Sequence, residues 1–163
     1  VMVVTDCVPF RGRRYPLMAE YFATMADVHR LTGALPESAD QYPSADGRGK
    51  TAQDSARRLA RMIGHDLEDA GMADWRGLAC HLAECQRRRL EEACRLVLSR
   101  GEVAGDAPVV GAGVGRPVVA ALAARLGRPY EDFATLVEGD AAVREAAADS
   151  APATAVALLL KEA

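Results

Sequence analysis

Short β-branched runs alternate along this chain with longer stretches in which apolar residues recur every three or four positions. Val1 to Val8 reads as a strand from its β-branched content. Pro9-Phe10-Arg11-Gly12-Arg13-Arg14 reads as a turn that returns into a hairpin near Tyr15. Pro16 to Leu31 reads as one amphipathic helix, with Gly33 and Pro36 ending it. Leu17, Tyr21, Met25 and Val28 line its apolar face, and Met18 and Phe22 widen it. The polar stretch from Leu35 to Lys50 reads as a long loop. Thr51, with Asp54 in a capping box, starts a helix that runs to about Ile63 and stops at Gly64. Its inner stripe is Ala56, Leu59, Ala60 and Ile63, which leaves Arg57, Arg58 and Arg61 outside it, either to meet phosphate or, as the safer reading, to form a solvated basic face.

Asp74 to about Arg100 reads as one long helix, capped by Asp74 and stopped near Gly101. Trp75, Leu78, Leu82, Cys85, Ala93, Cys94 and Val97 form its expected buried side. Arg87-Arg88-Arg89 and Glu91-Glu92 read as a self-paired exposed surface. A strand over Pro108 to Val110 then enters a glycine turn, and Arg116-Pro117 opens a helix that Gly127 stops. Asp132 to Val137 reads as a short strand or turn. A last helix begins near Asp149, with Ser150 as cap and Pro152 in its first turn. Its apolar run, Ala153 to Leu160, predicts a helix buried inside the domain. The order of elements predicts an α/β fold with a helix-heavy balance.

At 163 residues and 17.3 kDa the chain is expected to form one domain over residues 1–163. The net charge of −3 and an aromatic content of 5% argue against nucleic acid as a partner. No apolar run reaches the roughly 20 residues of a membrane span. The first residues lack the pattern of a signal peptide, so a cytoplasmic location is expected. Cys80 and Cys85 would point to different sides of their helix, and Cys80 and Cys94 would lie about 21 Å apart along it. With Cys7 they read as small buried apolar residues in a reducing compartment, and His81 as a surface or satisfied histidine.

Two places carry candidate chemistry. The first is the turn Gly111-Ala112-Gly113-Val114-Gly115-Arg116 between strand and helix. Glycines let backbone N–H groups approach a ligand, and the following helix offers the positive end of its dipole. The turn reads either as a phosphate or nucleotide site or as a plain change of direction. It departs from the dinucleotide fingerprint because Arg116 stands where the last glycine would be, and no phosphate-loop lysine follows. The second place is acidic. On an unbroken helix Glu20 and Asp27 would differ by about 20° in direction and about 10 Å in rise. Such a pair suits a metal, an amine or proton transfer, or it is an ordinary solvated edge. Asp40, Asp46 and Lys50 are the ligand groups of the long loop, where Ala45-Asp46-Gly47 also fits plain turn chemistry.

Several blocks together carry a resemblance. They are residues 18–28 and 31–37, Asp40, Ala45-Asp46-Gly47, residues 55–64, residues 110–116 and residues 151–157. In these the chain resembles the C-terminal half of the hydantoinase/oxoprolinase-type proteins linked to tetrahydromethanopterin one-carbon transfer. That family includes the furan methanamine synthase of methanofuran biosynthesis. The resemblance implies the helix-rich second lobe of an actin-like ATPase (ribonuclease H-like) fold, with a ligand cleft between two lobes. It implies a transferase that condenses a pyrophosphorylated furan alcohol with a tyramine-derived phenol and releases pyrophosphate. Within that reading, residue type and position make Glu20, Asp27 and Lys50 the candidate catalytic groups and Asp40 and Asp46 the substrate-binding ones. Gly111, Gly113, Gly115 and Arg116 would hold the phosphate or nucleotide. Mg²⁺ and either ATP or a pyrophosphorylated ligand are the implied cofactors, and a phosphorylated small molecule the implied partner. The family's two N-terminal phosphate loops do not occur in this sequence. Catalysis is therefore expected to need an N-terminal half or second subunit. The alternative is a non-catalytic binding or assembly module, docking as a homo-oligomer or onto a partner through exposed apolar surface.

Overall fold

The computed structural model describes residues 1, 4–36 and 39–162. Met2 and Val3 of the expected first strand, and Glu37 of the family block, lie outside the described residues. The chain, expected as one domain, divides into two compact units, residues 1–89 and 90–163. It mixes helices with two small sheets, and helix predominates.

In the first unit β1 (Cys7–Phe10) and β2 (Arg13–Pro16) form an antiparallel hairpin with Val8 opposite Tyr15. Among the described residues, Val1, Val4, Thr5 and Asp6 lie outside the strand that the β-branched content predicts. Arg11 and Gly12 both have positive φ, 47° and 77°, the geometry of a two-residue turn whose twist matches its strands. Arg11 accepts this unusual backbone while its Nη1 donates to the Asp69 carbonyl at 2.9 Å. Val8 and Phe10 point inward, and Phe10 stacks on Trp75 at 4.7 Å between ring centroids.

The expected helix from Pro16 to Leu31 is cut to α1, Met25–Thr32. The reason lies in distant backbone partners. Pro16 is paired in β2, the Leu17 N–H donates to Asp6 O and the Met18 N–H to Met62 O. These contacts carry the path of β2 on through Leu17 and Met18, and the backbone turns helical only at Met25. Thr24 becomes the N-cap, and its N–H donates to Asp27 Oδ2 at 3.0 Å. Gly33 ends α1 as the sequence predicts.

After a loop whose described residues form no helix or strand, α2 (Ala52–Met62) starts on Thr51 and Asp54, again as predicted. The Thr51 hydroxyl and the Arg57 guanidinium hold the Asp54 carboxyl down to about 2. α3 spans Met72–Leu98, and its early residues Trp75, Leu78 and Leu82 join Val8, Val28, Leu59 and Met62 in the core. Asp74 sits inside its first turn, accepting the Gly71 N–H, and is not its cap. Further along, Ala93 and Val97 are exposed, contrary to expectation.

In the second unit β3 (Val109–Gly111) and β4 (Tyr130–Asp132) pair in parallel, joined by α4 (Arg116–Leu126). A helical turn over Phe133–Leu136 takes up most of the region read as strand or turn. The alanine-rich tail folds as two helices, α5 (Ala141–Asp149) and α6 (Ala151–Glu162). The expectation that the last helix is buried is overturned: Leu159 is 67% and Leu160 73% exposed. Among the described residues no helix is long and apolar enough to cross a membrane. All four cysteines are free thiols, Cys80 exposed and the others half-buried, so none is the fully buried residue expected. His81 Nε2 lies 3.5 Å from Cys85 Sγ.

Candidate functional site

Folding α1, the long loop and α2 together gathers most of the acidic set into one polar cluster. Asp27 stands in the first turn of α1 and is buried. Facing it from α2 is Arg58, whose side chain is 1% exposed. Arg58 Nε and Nη2 both donate to Asp27 Oδ1, at 2.9 and 2.7 Å. Its Nη1 donates to Asp46 Oδ1 at 2.9 Å and to the Gly49 carbonyl at 3.0 Å. Ser55 Oγ completes the arrangement with a donated bond to Asp27 Oδ1 at 2.9 Å. Burial pulls the Arg58 guanidinium down, but the Asp27 and Asp46 carboxylates outweigh it and hold Arg58 above its ordinary value. Every donor edge of this guanidinium is therefore used. It clasps the long loop to both helices.

An outer tier rests on this clasp. Arg30 Nη1 donates to Ser55 Oγ at 3.1 Å, and Nη2 meets Asp40 Oδ2 at 2.5 Å. Lys50 Nζ donates to the Asp40 carbonyl at 2.6 Å and lies 3.5 Å from its Oδ1. Burial pushes the Asp40 carboxyl up, yet Arg30 and Lys50 together hold it below the usual range. Asp46 is likewise held low, by the Arg48 N–H and Arg58 against the effect of burial. Beside this tier opens a cavity of about 470 Å³ lined by Arg30, Leu35, Pro36, Lys50, Thr51 and Ala52.

The structure thus brings together Asp27, Asp40, Asp46 and Lys50 of the residues the sequence singles out. Glu20 stands apart. It is exposed, in the stretch that does not become helix, so the expected Glu20–Asp27 pair on one helix face does not form. Arg58, expected on a solvated face, is the buried centre of the cluster. Arg30 and Ser55 also belong to it without having been singled out. One signal for Arg58 was present: Ser55, Arg58 and Met62 follow the i, i+3, i+7 spacing of a single helix row, and all three are buried. Arg57 and Arg61 lie off that row, Arg61 exposed and Arg57 paired with Asp54.

These carboxylates do not fit a resident Mg²⁺. Asp27, Asp40 and Asp46 each face a guanidinium at hydrogen-bond distance. Among the described residues no group of three or more His, Cys, Asp or Glu is placed to hold a metal ion.

The glycine turn belongs to the second unit and is largely occupied by its own surroundings. A Cβ on Gly111 would lie 2.6 Å from Tyr130 Cε2 and 2.8 Å from its Cζ, so the glycine makes room for that ring. The Gly113 N–H donates to the Ala148 carbonyl at 2.8 Å. Gly115 accepts from the Val118 and Val119 N–H groups as the cap of α4. Arg116 Nη1 donates to Asp132 at 3.0 Å, and Nη2 to Glu145 and Asp149, both at 2.7 Å. Glu145, Asp132 and Asp149 hold this guanidinium above its ordinary value against the opposing effect of burial. A phosphate of ATP would meet one cation already ringed by three carboxylates, a poor fit for an anion. The same unit holds a cavity of about 340 Å³ whose lining includes Leu90, Val97, Val103, Val109 and Leu126.

No protein-family model matches the sequence, and no curated protein matches it either.

Proposed function

We propose that the first unit binds a small molecule through a phosphate or pyrophosphate group seated between Arg30 and Lys50. The cavity supports this reading. Two cations from different parts of the chain, α1 and the end of the long loop, line the same 470 Å³ space beside the first turn of α2. Leu35 and Pro36 add apolar wall for the body of the ligand. In the transferase that the family resemblance implies, this group would belong to the pyrophosphorylated furan alcohol of a methanofuran-type pathway. Lys50 would then meet pyrophosphate, Asp40 would stand beside it, and Asp27 and Asp46 would position the cations through Arg58. The actin-like lobe arrangement, and a second lobe or subunit carrying the phosphate loops, are part of the same proposal.

Titration calorimetry with inorganic pyrophosphate tests it. Lys50→Ala removes one charge-assisted contact and is expected to weaken binding by about 10-fold or more. Raising the salt concentration is expected to weaken wild-type binding as well. Unchanged affinity in Lys50→Ala would end the proposal.

One observation favours a second reading, an assembly module. α6 exposes Val156, Leu158, Leu159 and Leu160, a larger apolar surface than a helix of a free-standing domain needs. Light scattering is expected to show self-association that Leu159→Glu abolishes; a monomer at all concentrations would rule out the homo-oligomeric form.

A further inference from the structure

We propose that Asp40 is a resident competitor for the ligand's anionic group, restricting the cavity to groups with two or more negative charges and excluding simple carboxylates. This rests on the reading of the cavity as an anion site. Asp40 does to Arg30 and Lys50 what a bound carboxylate would do. Its Oδ2 lies 2.5 Å from Arg30 Nη2 and its Oδ1 3.5 Å from Lys50 Nζ. Those are the two cations of the cavity lining. Asp40 itself belongs to residues 35–50, which form no helix or strand among the described residues, so it has no regular element to hold it in place against an exchange.

The selectivity follows from the exchange. A free carboxylate would gain only the contacts that Asp40 gives up. Asp40 is tethered, and a short tether presents its group at an effective concentration of millimolar or more. An incoming monoanion therefore gains nothing at lower concentrations. A phosphate carries up to two charges and three strong acceptor oxygens, enough to span both cations at once. Arg30 and Lys50 hold the Asp40 carboxyl below the usual carboxylate range, so the competitor carries its charge at neutral pH. Lys50 also holds the Asp40 main-chain carbonyl at 2.6 Å, a contact that any residue at position 40 retains.

Calorimetry on the full chain at fixed ionic strength would compare pyrophosphate, inorganic phosphate and acetate in the wild type, Asp40→Asn and Asp40→Glu. The wild type is expected to bind pyrophosphate more tightly than phosphate and to show no heat with acetate. Asp40→Asn is expected to tighten pyrophosphate by about 10-fold and to make acetate binding measurable. Asp40→Glu restores the carboxylate and is expected to restore the wild-type ranking. An Asn variant that melts like the wild type but shows neither change overturns the inference, while pyrophosphate binding by the wild type leaves the cavity reading standing. If none of the three proteins binds any of the anions, the cavity reading fails and this inference with it. A measurement on the wild type alone guards against a variant that does not fold. The Asp40 amide resonance is expected to shift with pyrophosphate and not with equal acetate; a resonance unmoved at saturation also overturns the inference.

Discussion

Arg58→Ala is expected to destabilise the first unit by about 3–5 kcal/mol, measured as a shift in the midpoint of urea unfolding. The size follows from what remains. Asp27, with a side chain 4% exposed, would lose both short bonds from Arg58. Ser55 Oγ and the Thr24 N–H still donate to it, and Arg30 lies 3.5 Å away, which is partial compensation for a buried carboxylate. Asp46 and the Gly49 carbonyl lose their shared donor at the same time, so the long loop is released from α2. Arg58→Lys is expected to recover only part of the loss, because an ammonium cannot span Asp27 and Asp46 as the guanidinium fork does. Combining Arg58→Met with Asp27→Asn is expected to cost less than Arg58→Ala alone, since no uncompensated charge is then buried. A loss below about 1 kcal/mol for Arg58→Ala would show that the clasp is not what holds this cluster. Hydrogen exchange supplies a local check: the N–H groups of residues 44–50 are expected to lose protection before those of α2.

The contrast between Arg58 and Asp54 shows what a sequence can disclose about this cluster. Thr51 and Asp54 are three residues apart, and their capping box is a short-range arrangement that the local spacing already specifies. The ends at Gly33 and Gly127 are legible for the same reason, since both glycines take up left-handed caps next to the helices they close. Arg58 is different. Whether an arginine at the edge of an apolar stripe is solvated or buried depends on a carboxylate arriving from elsewhere, here Asp27, supplied 31 positions earlier. The false helix from Pro16 to Thr24 has a similar origin. Its apolar spacing suits a helix, but Leu17 and Met18 donate to carbonyls that only the tertiary fold brings near. Asp40, Asp46 and Lys50 stand out as charged groups of a long polar loop, although Asp46 also does the turn chemistry its neighbours allow, accepting the Arg48 N–H. Their cationic partners Arg30 and Arg58 look like ordinary helix-surface residues until α1 and α2 are packed together. At the glycine turn the strand and helix were legible, whereas the three carboxylates that engage Arg116 come from positions 132, 145 and 149. Nothing in the turn itself announces them.

Trp75→Ala is expected to cost the first unit a further large sum, about 3–5 kcal/mol, by leaving a cavity that the hairpin and α3 cannot close. Trp75 is fully buried and joins three separate parts of the unit. Its ring stacks on Phe10 of β1 with an interplanar angle of 16°, and its Nε1 donates to the Leu67 and Ala70 carbonyls at 3.0 and 3.1 Å. Trp75→Phe separates these contributions. It keeps an aromatic partner for Phe10 but strands two carbonyls, so it is expected to lose about 1–3 kcal/mol. The chain has one tryptophan, so its fluorescence reports unfolding of this unit in every variant that retains it, and circular dichroism reads the rest. The two large losses should differ in kind. Trp75 lies in the apolar core away from the cavity lining, so a mild substitution there should lower stability while pyrophosphate affinity of the folded fraction is kept. Arg58 supports Ser55 and Asp27, which in turn position Arg30, so its removal should lower both. If Trp75→Phe weakened pyrophosphate binding as much as Arg58→Lys, the polar cluster could not be credited with positioning the ligand.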